Sequence, residues 1–294
     1  FRIKGIKTTN PLAVGDYVSI KKEEGQDTAV ITELHTRKNY VIRKSVNLSK
    51  QAHILAANVD QSLLVVTLKE PFTSTGFIDR FLVTCEAYKV PAILVFNKSD
   101  LIGDDEGEEW EYYQLMYSAI GYKCVLTSAK TGEGINDLKE ILHGKTSLLS
   151  GHSGAGKSSL LNAVLPEVNQ KVGKVSSAHF KGQHTTTYAE MFQLEEGKII
   201  DTPGIKGLGM VDMKPDEVPD YFPDFFELLP QCKFHNCKHL NEPNCAVVDA
   251  LHNGRLAPSR YETYLSILDE LNEGSPYRSC LLYTSPSPRD LSTS

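Results

Sequence analysis

A glycine-rich segment between an apolar strand and a helical segment constrains this fold most. After residues 145–149, which we expect to form a buried strand, and Ser150 come Gly151, His152, Ser153, Gly154, Ala155, Gly156, Lys157, Ser158 and Ser159. In a G-x-x-x-x-G-K-S pattern the glycines let successive backbone N–H groups curl around phosphates at a helix N-terminus. The pattern predicts that Lys157 reaches the β- and γ-phosphates of a nucleoside triphosphate and that Ser158 binds Mg²⁺. The alternative is a chance glycine-rich turn.

A second acidic pattern follows the apolar residues 198–200. Asp201, Thr202, Pro203 and Gly204 form a D-x-x-G sequence. A carboxylate at a strand end can hold the Mg²⁺ shell, and a glycine there can turn its N–H toward the γ-phosphate. The pattern is weak alone, but downstream of a phosphate-binding loop it supports a triphosphate site.

Two further polar segments each end an apolar strand. Asn97, Lys98, Ser99 and Asp100 follow residues 92–96, and Ser128, Ala129 and Lys130 follow residues 123–127. They resemble the N-K-x-D and S-A-K base-recognition motifs of GTPases. The Asp100 carboxylate can accept the N1–H and 2-amino donors of guanine, the Lys98 stem can cover the base, and the Ala129 N–H can bond its O6. The alternative for residues 97–100 is an N-cap or turn.

The order of these motifs is unusual. In ordinary GTPases the phosphate loop comes first and the base-recognition motifs come last, whereas here segments 97–100 and 128–130 precede it. The same sheet can still assemble from a chain that starts elsewhere around the fold, because domain termini tend to lie close together. The sequence therefore predicts a circularly permuted GTPase, with the segment after Gly204 as a nucleotide-sensitive switch leading into the C-terminal module.

The pattern of apolar segments predicts three modules. Residues 1–58 form short strands, which favour a small β-barrel whose first strand is partly lost, or else a loose β-rich arm. Residues 59–220 alternate strands with helices, which indicates βαβ units in a mostly parallel sheet with helices on both faces. Residues 221–274 form a Cys/His-rich module that ends in a helix over 258–272. We expect the Ser- and Pro-rich residues 275–294 to be a non-native or disordered tail.

Cysteine spacing predicts a metal site in the C-terminal module. Three of the six cysteines, Cys232, Cys237 and Cys245, crowd together beside His239, with His235 as a competing ligand. Three thiolates and one imidazole suit a closed, structural tetrahedral Zn²⁺ site. The alternative is a set of reduced structural cysteines. The nearby cations Lys233, Lys238, His252, Arg255 and Arg260 could contact phosphates or form a solvated face.

Net charge and hydropathy argue against some classes of protein. A net charge of −6 argues against a broadly basic nucleic-acid binder, although one face could still be basic. No apolar run approaches the ~20 residues that span a bilayer, so we expect no membrane contact. Scattered cysteines outside the cluster indicate a reducing compartment. No heptad or apolar stripe demands a dimer, and we expect a monomer.

The motif order and two local segments resemble one family, that of ribosome small subunit-dependent GTPase A (RsgA). The segments are residues 7–16, which read KTTNPLAVGD, and residues 182–187, which read GQHTTT. The similarity covers residues 1–274. It implies an N-terminal OB-fold, a permuted GTPase domain and a C-terminal zinc domain. It also implies action in the bacterial cytoplasm, late in maturation of the small ribosomal subunit, with contacts to its rRNA.

The position that normally orients the attacking water holds Ile205, which cannot do so. Another group must act, or a partner must supply one. His184 is the candidate, a role that has also been proposed for the matching histidine of the family; alternatively it contacts RNA or packs passively. One of Thr185, Thr186 and Thr187 should complete the Mg²⁺ shell, and Thr186 is favoured.

Three hypotheses about function follow. The first is a GTPase that hydrolyses GTP to GDP and phosphate on the small ribosomal subunit, which stimulates it. The second is an RNA-binding module for which the nucleotide is only a switch ligand and hydrolysis is negligible. Ile205 is compatible with this hypothesis. The third is a permuted GTPase acting on another RNA or on the large subunit. The catalytic set under the first hypothesis is His184, Lys157 and Thr186.

Overall fold

Alternating strands and helices make up the middle of the chain, as the apolar pattern predicted. The computed structural model describes residues 2–3, 6–8, 11–22, 25, 28–44, 51–165, 189–202 and 213–272. The strands in these ranges are β1 (Arg2–Ile3), β2 (Ile6–Thr8), β3 (Val18–Lys22), β4 (Ala29–Leu34), β5 (Tyr40–Lys44), β6 (Gln51–Ala57), β7 (Gln61–Val66), β8 (Ala92–Asn97), β9 (Lys123–Thr127), β10 (Thr146–Gly151), β11 (Glu190–Leu194) and β12 (Gly197–Asp201).

Seven α-helices lie within the same ranges. They are α1 (Thr75–Tyr88), α2 (Asp104–Ala119), α3 (Ile135–Leu142), α4 (Lys157–Val164), α5 (Pro223–Leu228), α6 (Ala246–His252) and α7 (Pro258–Asn272). Short 3-10 turns occur at Ser99–Leu101, Pro215–Tyr221 and Leu229–Gln231. No helix in the described part of the chain combines the length and the apolar character that crossing a membrane requires.

A six-stranded sheet positions the predicted motifs. Its order is β11-β12-β10-β7-β8-β9; the pairs from β12 to β9 are parallel, and β11 runs antiparallel to β12. The carboxyl ends of parallel strands meet at one edge of a sheet, where α/β proteins bind ligands. The phosphate loop, the segment 97–100, the segment 128–130 and Asp201 therefore share that edge, as a permuted GTPase requires.

Strands β1, β2, β6 and β5 form a four-stranded sheet, and β3 pairs with β4 as an antiparallel hairpin. Short strands over this part of the chain are what the sequence predicted. One cluster of buried side chains joins β5 and β6 to the central sheet, through Val41, Ala56, Leu148 and Ile200. The larger core packs helices α3 and α4 against the sheet strands through Leu and Val side chains, as burial of apolar surface dictates.

The chain forms two compact units, one of Phe1–Thr73 and Thr84–Asp212 and the other of Ser74–Val83 and Met213–Ser294. The three-module division that the sequence predicted stays a prediction. The tail 275–294 lies outside the described residues.

The second unit contains a buried ion cluster that corrects one sequence interpretation. Arg260 is 1% exposed. Its guanidinium donates to Asp224 at 2.7 and 3.0 Å and to Asp79 at 2.9 Å. It also stacks 4.6 Å from the centroid of the Phe222 ring. Arg260 therefore cannot contact phosphates or belong to a solvated face, because buried charges need fixed partners and this one has two carboxylates.

Candidate nucleotide and metal sites

The phosphate loop has the backbone that its glycines predict. Gly154 and Gly156 have φ of +85° and +95°, in the left-handed region that favours glycine. Strand β10 ends at Gly151, where a Cβ would lie 2.6 Å from the carbonyl oxygen of Val65. Helix α4 begins at Lys157, so its N-terminus points at the space above the loop. This geometry can cradle phosphates with backbone N–H groups.

Lys157 and Asp201 interact electrostatically at this site. The Lys157 ammonium donates to the carbonyl oxygens of Gly151 and His152, both at 2.8 Å. Burial lowers the pKa of Lys157, and the charge of Asp201 opposes that effect. Burial raises the pKa of Asp201, and Lys157 opposes it. The loop thus holds a cation ready for phosphate and a carboxylate ready for a metal.

Asp201 shows that a cation fits here. Its Oδ1 atom is buried and has no hydrogen-bond partner among the residues that the structure describes. A buried carboxylate oxygen without a partner is unfavourable unless a cation or a donor compensates it. Ser158, exposed in the first turn of α4, supplies a hydroxyl on the same loop. The donor set suits Mg²⁺, which prefers oxygen ligands.

Asn97 ties the phosphate loop to both base-recognition segments. The side chain is 4% exposed, and its Nδ2 donates to the carbonyl oxygen of Ala155 at 2.9 Å. Its Oδ1 accepts from the Thr127 hydroxyl at 3.3 Å and from the Ala129 N–H at 3.4 Å. One buried amide therefore sets the separation between the phosphate end and the base end of the site.

Asp100 is held as a charged acceptor. The Ser128 hydroxyl donates to its Oδ1 at 2.7 Å, and the Lys130 ammonium lies 3.2 Å from its Oδ2. These two groups, the hydroxyl first, lower the pKa of the Asp100 carboxyl. Ser99 donates to Glu133 at 2.5 Å, and the Ser128 N–H donates to the Glu133 carbonyl oxygen at 3.0 Å. The two segments form one rigid base-recognition corner.

Thr127 and Glu133 take part in this corner, although sequence reasoning did not single them out. Thr127 is the last residue of β9 and is fully buried, so its hydroxyl has to find a partner inside the site. The sequence signal that could have identified Thr127 is its position as a polar residue at the carboxyl end of an apolar strand, next to S-A-K. Glu133 contributes its backbone carbonyl oxygen and its side chain from a turn. No sequence pattern identifies such a residue.

Several predicted residues lie outside the described residues. They are His184, Thr185, Thr186, Thr187, Gly204 and Ile205. The roles predicted for His184 in hydrolysis, for Thr186 in the Mg²⁺ shell and for Gly204 at the γ-phosphate stay predictions.

The second unit brings the four predicted metal ligands together. The Sγ atoms of Cys232, Cys237 and Cys245 and a ring nitrogen of His239 lie within 4.8 Å of one another. The His239 Nδ1 is 3.4 Å from the Cys245 sulfur and 3.8 Å from the Cys232 sulfur. His235, the competing ligand, is exposed and is not part of this cluster.

The chemistry of the cluster fits a soft divalent cation. Burial raises the pKa of Cys237 to about 12, and it also raises that of Cys245. Burial lowers the pKa of His239, which keeps the imidazole neutral. A bound cation would favour the thiolate forms of Cys237 and Cys245, and four donors in tetrahedral reach leave no open position for water. The set can thus hold a structural metal.

Known proteins are similar to this chain in sequence. The sequence model of the family described as RsgA GTPase matches residues 34–211. A protein of Christiangramia forsetii named small ribosomal subunit biogenesis GTPase RsgA is 54% identical over 272 residues, which cover 92% of this chain and 86% of the relative. One of Bacteroides thetaiotaomicron, named small ribosomal subunit biogenesis GTPase RsgA 2, is 52% identical over 276 residues, with coverage of 93% and 88%.

Solved structures share the fold. The crystal structure of YjeQ from Thermotoga maritima is 40% identical, with a TM-score of 0.72 over 89% of this chain and 84% of the other. The structure of YloQ, described as a circularly permuted GTPase, is 33% identical, with a TM-score of 0.71 and coverage of 94% and 87%. The permuted fold that the motif order predicted is thereby confirmed.

Proposed function

The chain belongs to the RsgA GTPase family, and on that premise we propose that it hydrolyses GTP while bound to the small ribosomal subunit, which stimulates it. The family is one of GTP hydrolases that act in ribosome biogenesis. In this proposal the chain acts late in maturation of the subunit and contacts its rRNA. The products of the reaction are GDP and phosphate. The chain would then act in the bacterial cytoplasm, as a monomer.

One observation carries the assignment of the site. The side chain of Asn97 contacts Ala155 in the phosphate loop and Ala129 in the base-recognition corner. Three segments from separate parts of the chain are thus held by one buried amide at one edge of the sheet. A nucleotide can bridge only ends that are held at a fixed separation. Asp100, charged and next to Ser128, supplies acceptors for the two guanine donors that adenine lacks at those positions.

The residues of the chain divide the work in the reaction. Lys157 would leave the loop carbonyl oxygens for the β- and γ-phosphates, because phosphate oxygens are stronger acceptors than neutral carbonyls. Backbone N–H groups at the start of α4 would stabilise charge that develops on the leaving GDP. His184 would orient the attacking water, since Ile205 has no polar atom for the task.

Ser158, Asp201 and Thr186 would hold Mg²⁺, which would supply positive charge to offset the charge of the phosphates. Asp201 supports this part of the proposal, because its buried Oδ1 has no hydrogen-bond partner within the described part of the chain. In the second unit we propose one structural Zn²⁺ on Cys232, Cys237, His239 and Cys245. The four donors are the set that zinc takes in closed sites.

A second candidate function has one observation in its favour. Ile205 stands where a water-positioning glutamine would stand, so nucleotide could act only as a switch ligand for RNA binding. The two candidates differ in turnover on the subunit. The switch module would bind the subunit in a GTP-dependent way and would release no phosphate above background.

Phosphate release by the chain, with and without purified bacterial small subunits, tests the proposal. ATP serves as the nucleotide control, and large subunits serve as the partner control. We expect GTP-specific turnover that small subunits raise at least tenfold and that large subunits leave unchanged. Slow GTP turnover that small subunits do not change would support the GTPase activity and reject the small subunit as the partner.

A further inference from the structure

The loop after β7, residues 67–73, lies between the two halves of the nucleotide site. Strand β7 is flanked in the sheet by β10, which carries the phosphate loop, and by β8, which carries the segment 97–100. Parallel register aligns the ends of these strands, with Val65 opposite Gly151 and Val66 opposite Phe96. A nucleotide that reaches from one half to the other must therefore pass this loop.

The loop is closed on itself by Thr67 and Thr73. The Thr73 N–H donates to the Thr67 carbonyl oxygen at 2.9 Å, and the Thr67 N–H donates to the Thr73 hydroxyl oxygen at 3.2 Å. The Thr67 hydroxyl donates to the carbonyl oxygen of Pro71. Both threonines are fully buried. These bonds make the loop a fixed object rather than a flexible connection.

The loop contacts both halves of the site. The Lys98 ammonium donates to the carbonyl oxygen of Glu70. A Cβ built on Gly154 of the phosphate loop would lie 3.5 Å from Pro71 Cδ, which is van der Waals contact. Lys69 pairs with Glu106 at 3.0 Å, and Glu106 accepts from the N–H of Gly103, just beyond the base-recognition segment.

We propose that the 67–73 loop positions Lys98 for the guanine base, with Thr67 as the positioning residue. The inference rests on the proposed function, because it takes the Lys98 stem as the cover of the base. A lysine side chain loses much rotamer freedom when it is ordered. Since the Glu70 carbonyl holds the Lys98 ammonium before nucleotide arrives, binding does not have to order it, and the affinity for nucleotide rises.

Thr67 acts on Lys98 through the loop and touches no nucleotide. Its hydroxyl fixes the Pro71 carbonyl, and the next residue back, Glu70, carries the oxygen that Lys98 binds. A merely structural role for Thr67 would lower the stability of the chain and the fraction of active protein. A positioning role predicts weaker nucleotide binding by protein that is fully folded.

Three variants separate these roles. Thr67→Val keeps the shape and removes the hydroxyl, and Thr67→Ser keeps the hydroxyl. Thr32→Val is the matched control, because the Thr32 hydroxyl also donates to a backbone carbonyl oxygen, that of Ser19 at 3.2 Å, on the exposed hairpin. Dissociation constants of GTP and GDP are measured by fluorescence titration with labelled nucleotide, together with the turnover number at saturating GTP and the melting temperature.

We expect Thr67→Val to raise the dissociation constants of GTP and GDP equally, by about five- to tenfold, the effect of roughly one hydrogen bond. The loss falls on the dissociation constants, because Thr67 acts through Lys98, which covers the base. Thr67→Ser and Thr32→Val bind like the wild type. Unchanged affinity in Thr67→Val, or an equal loss in Thr32→Val, would overturn the proposal.

A double-mutant cycle tests the route through Lys98. If Thr67 acts through that side chain, Thr67→Val has little further effect in a Lys98→Met background. Additive losses would overturn the positioning role. The result for the wild type separates the two inferences: if it lacks preference for guanine nucleotides over ATP, the proposed function fails as well. With that preference present and the cycle additive, only the role of the loop fails.

Discussion

Replacing Gly156 with alanine should test whether Asn97 sets the geometry of the nucleotide site. Gly156 caps α4 with φ of +95°, and a Cβ built there would lie 2.3 Å from the Asn97 Nδ2 atom. Atoms at that distance cannot coexist, and Asn97 is buried, so the amide has to move. The perturbation therefore acts on the side chain that joins the phosphate loop to the base-recognition corner.

The expected loss of free energy in Gly156→Ala has two parts. A non-glycine residue in the left-handed region costs about 1 kcal/mol. Displacement of Asn97 breaks its bonds with Ala155, Thr127 and Ala129, each worth about 1 kcal/mol. A loss of roughly 2–3 kcal/mol in the site corresponds to nucleotide affinity weakened by about 30- to 150-fold. Binding suffers because these bonds define the bound geometry.

Gly121→Ala is the matched control. Gly121 has φ of +94°, nearly that of Gly156, but a Cβ built there meets nothing within 4 Å. Urea unfolding should show only the backbone penalty of about 1 kcal/mol in Gly121→Ala, and that penalty plus the loss of the Asn97 bonds, roughly 3–4 kcal/mol in total, in Gly156→Ala. Titration with labelled GDP should show weakened binding only in Gly156→Ala. Wild-type affinity in Gly156→Ala would refute the bridging role of Asn97.

Three further predictions concern groups elsewhere in the two units. Asp201→Asn should abolish hydrolysis yet stabilise the nucleotide-free chain by roughly 1 kcal/mol at pH 7, because it removes a charge whose burial Lys157 only partly offsets. Since burial raises the pKa of this carboxyl, the wild type regains that stability as pH falls, and urea unfolding at several pH values should show the difference shrinking toward acid pH. Arg260→Met should lower the free energy of unfolding by about 3–5 kcal/mol, because it leaves Asp79 and Asp224 buried without a cation; exposed Arg255→Met should leave it unchanged in the same urea titration. We expect elemental analysis to find one zinc in the wild type and in exposed His235→Ala, whereas Cys245→Ser should lose the metal and have a lower melting temperature; equal zinc in both variants would reject the ligand set.

Most of the nucleotide site could be predicted from the sequence, because each motif is short and its chemistry is local. The glycines of the phosphate loop dictate their own backbone, and Asp100 lies two residues beyond the lysine of its own motif. The central strands β7 and β8, the second of which carries the segment 97–100, are buried on both faces and therefore read as apolar runs. Their shared edge then follows from parallel pairing.

Contacts between residues far apart in the chain could not be predicted. Arg260 lies 181 positions from Asp79, and nothing near Arg260 in the sequence marks it as buried. The 67–73 loop matches no motif, and its role depends on β7 lying between β10 and β8. Strand β11 was not among the predicted strands; it is short and lies at the sheet edge, and the turn at Gly197 was its only local signal.

The preference for guanine is the central claim, and nucleotide binding by Asp100→Asn tests it most directly. A carboxylate accepts from both the N1–H and the 2-amino group of guanine, whereas an amide can accept only one bond and donates the other. Xanthine has a carbonyl in place of the 2-amino group and so matches the amide. Competition titrations should show that the variant loses GTP affinity at least tenfold and gains affinity for XTP. Unchanged GTP affinity in a folded Asp100→Asn protein would contradict the assignment of the base-recognition corner.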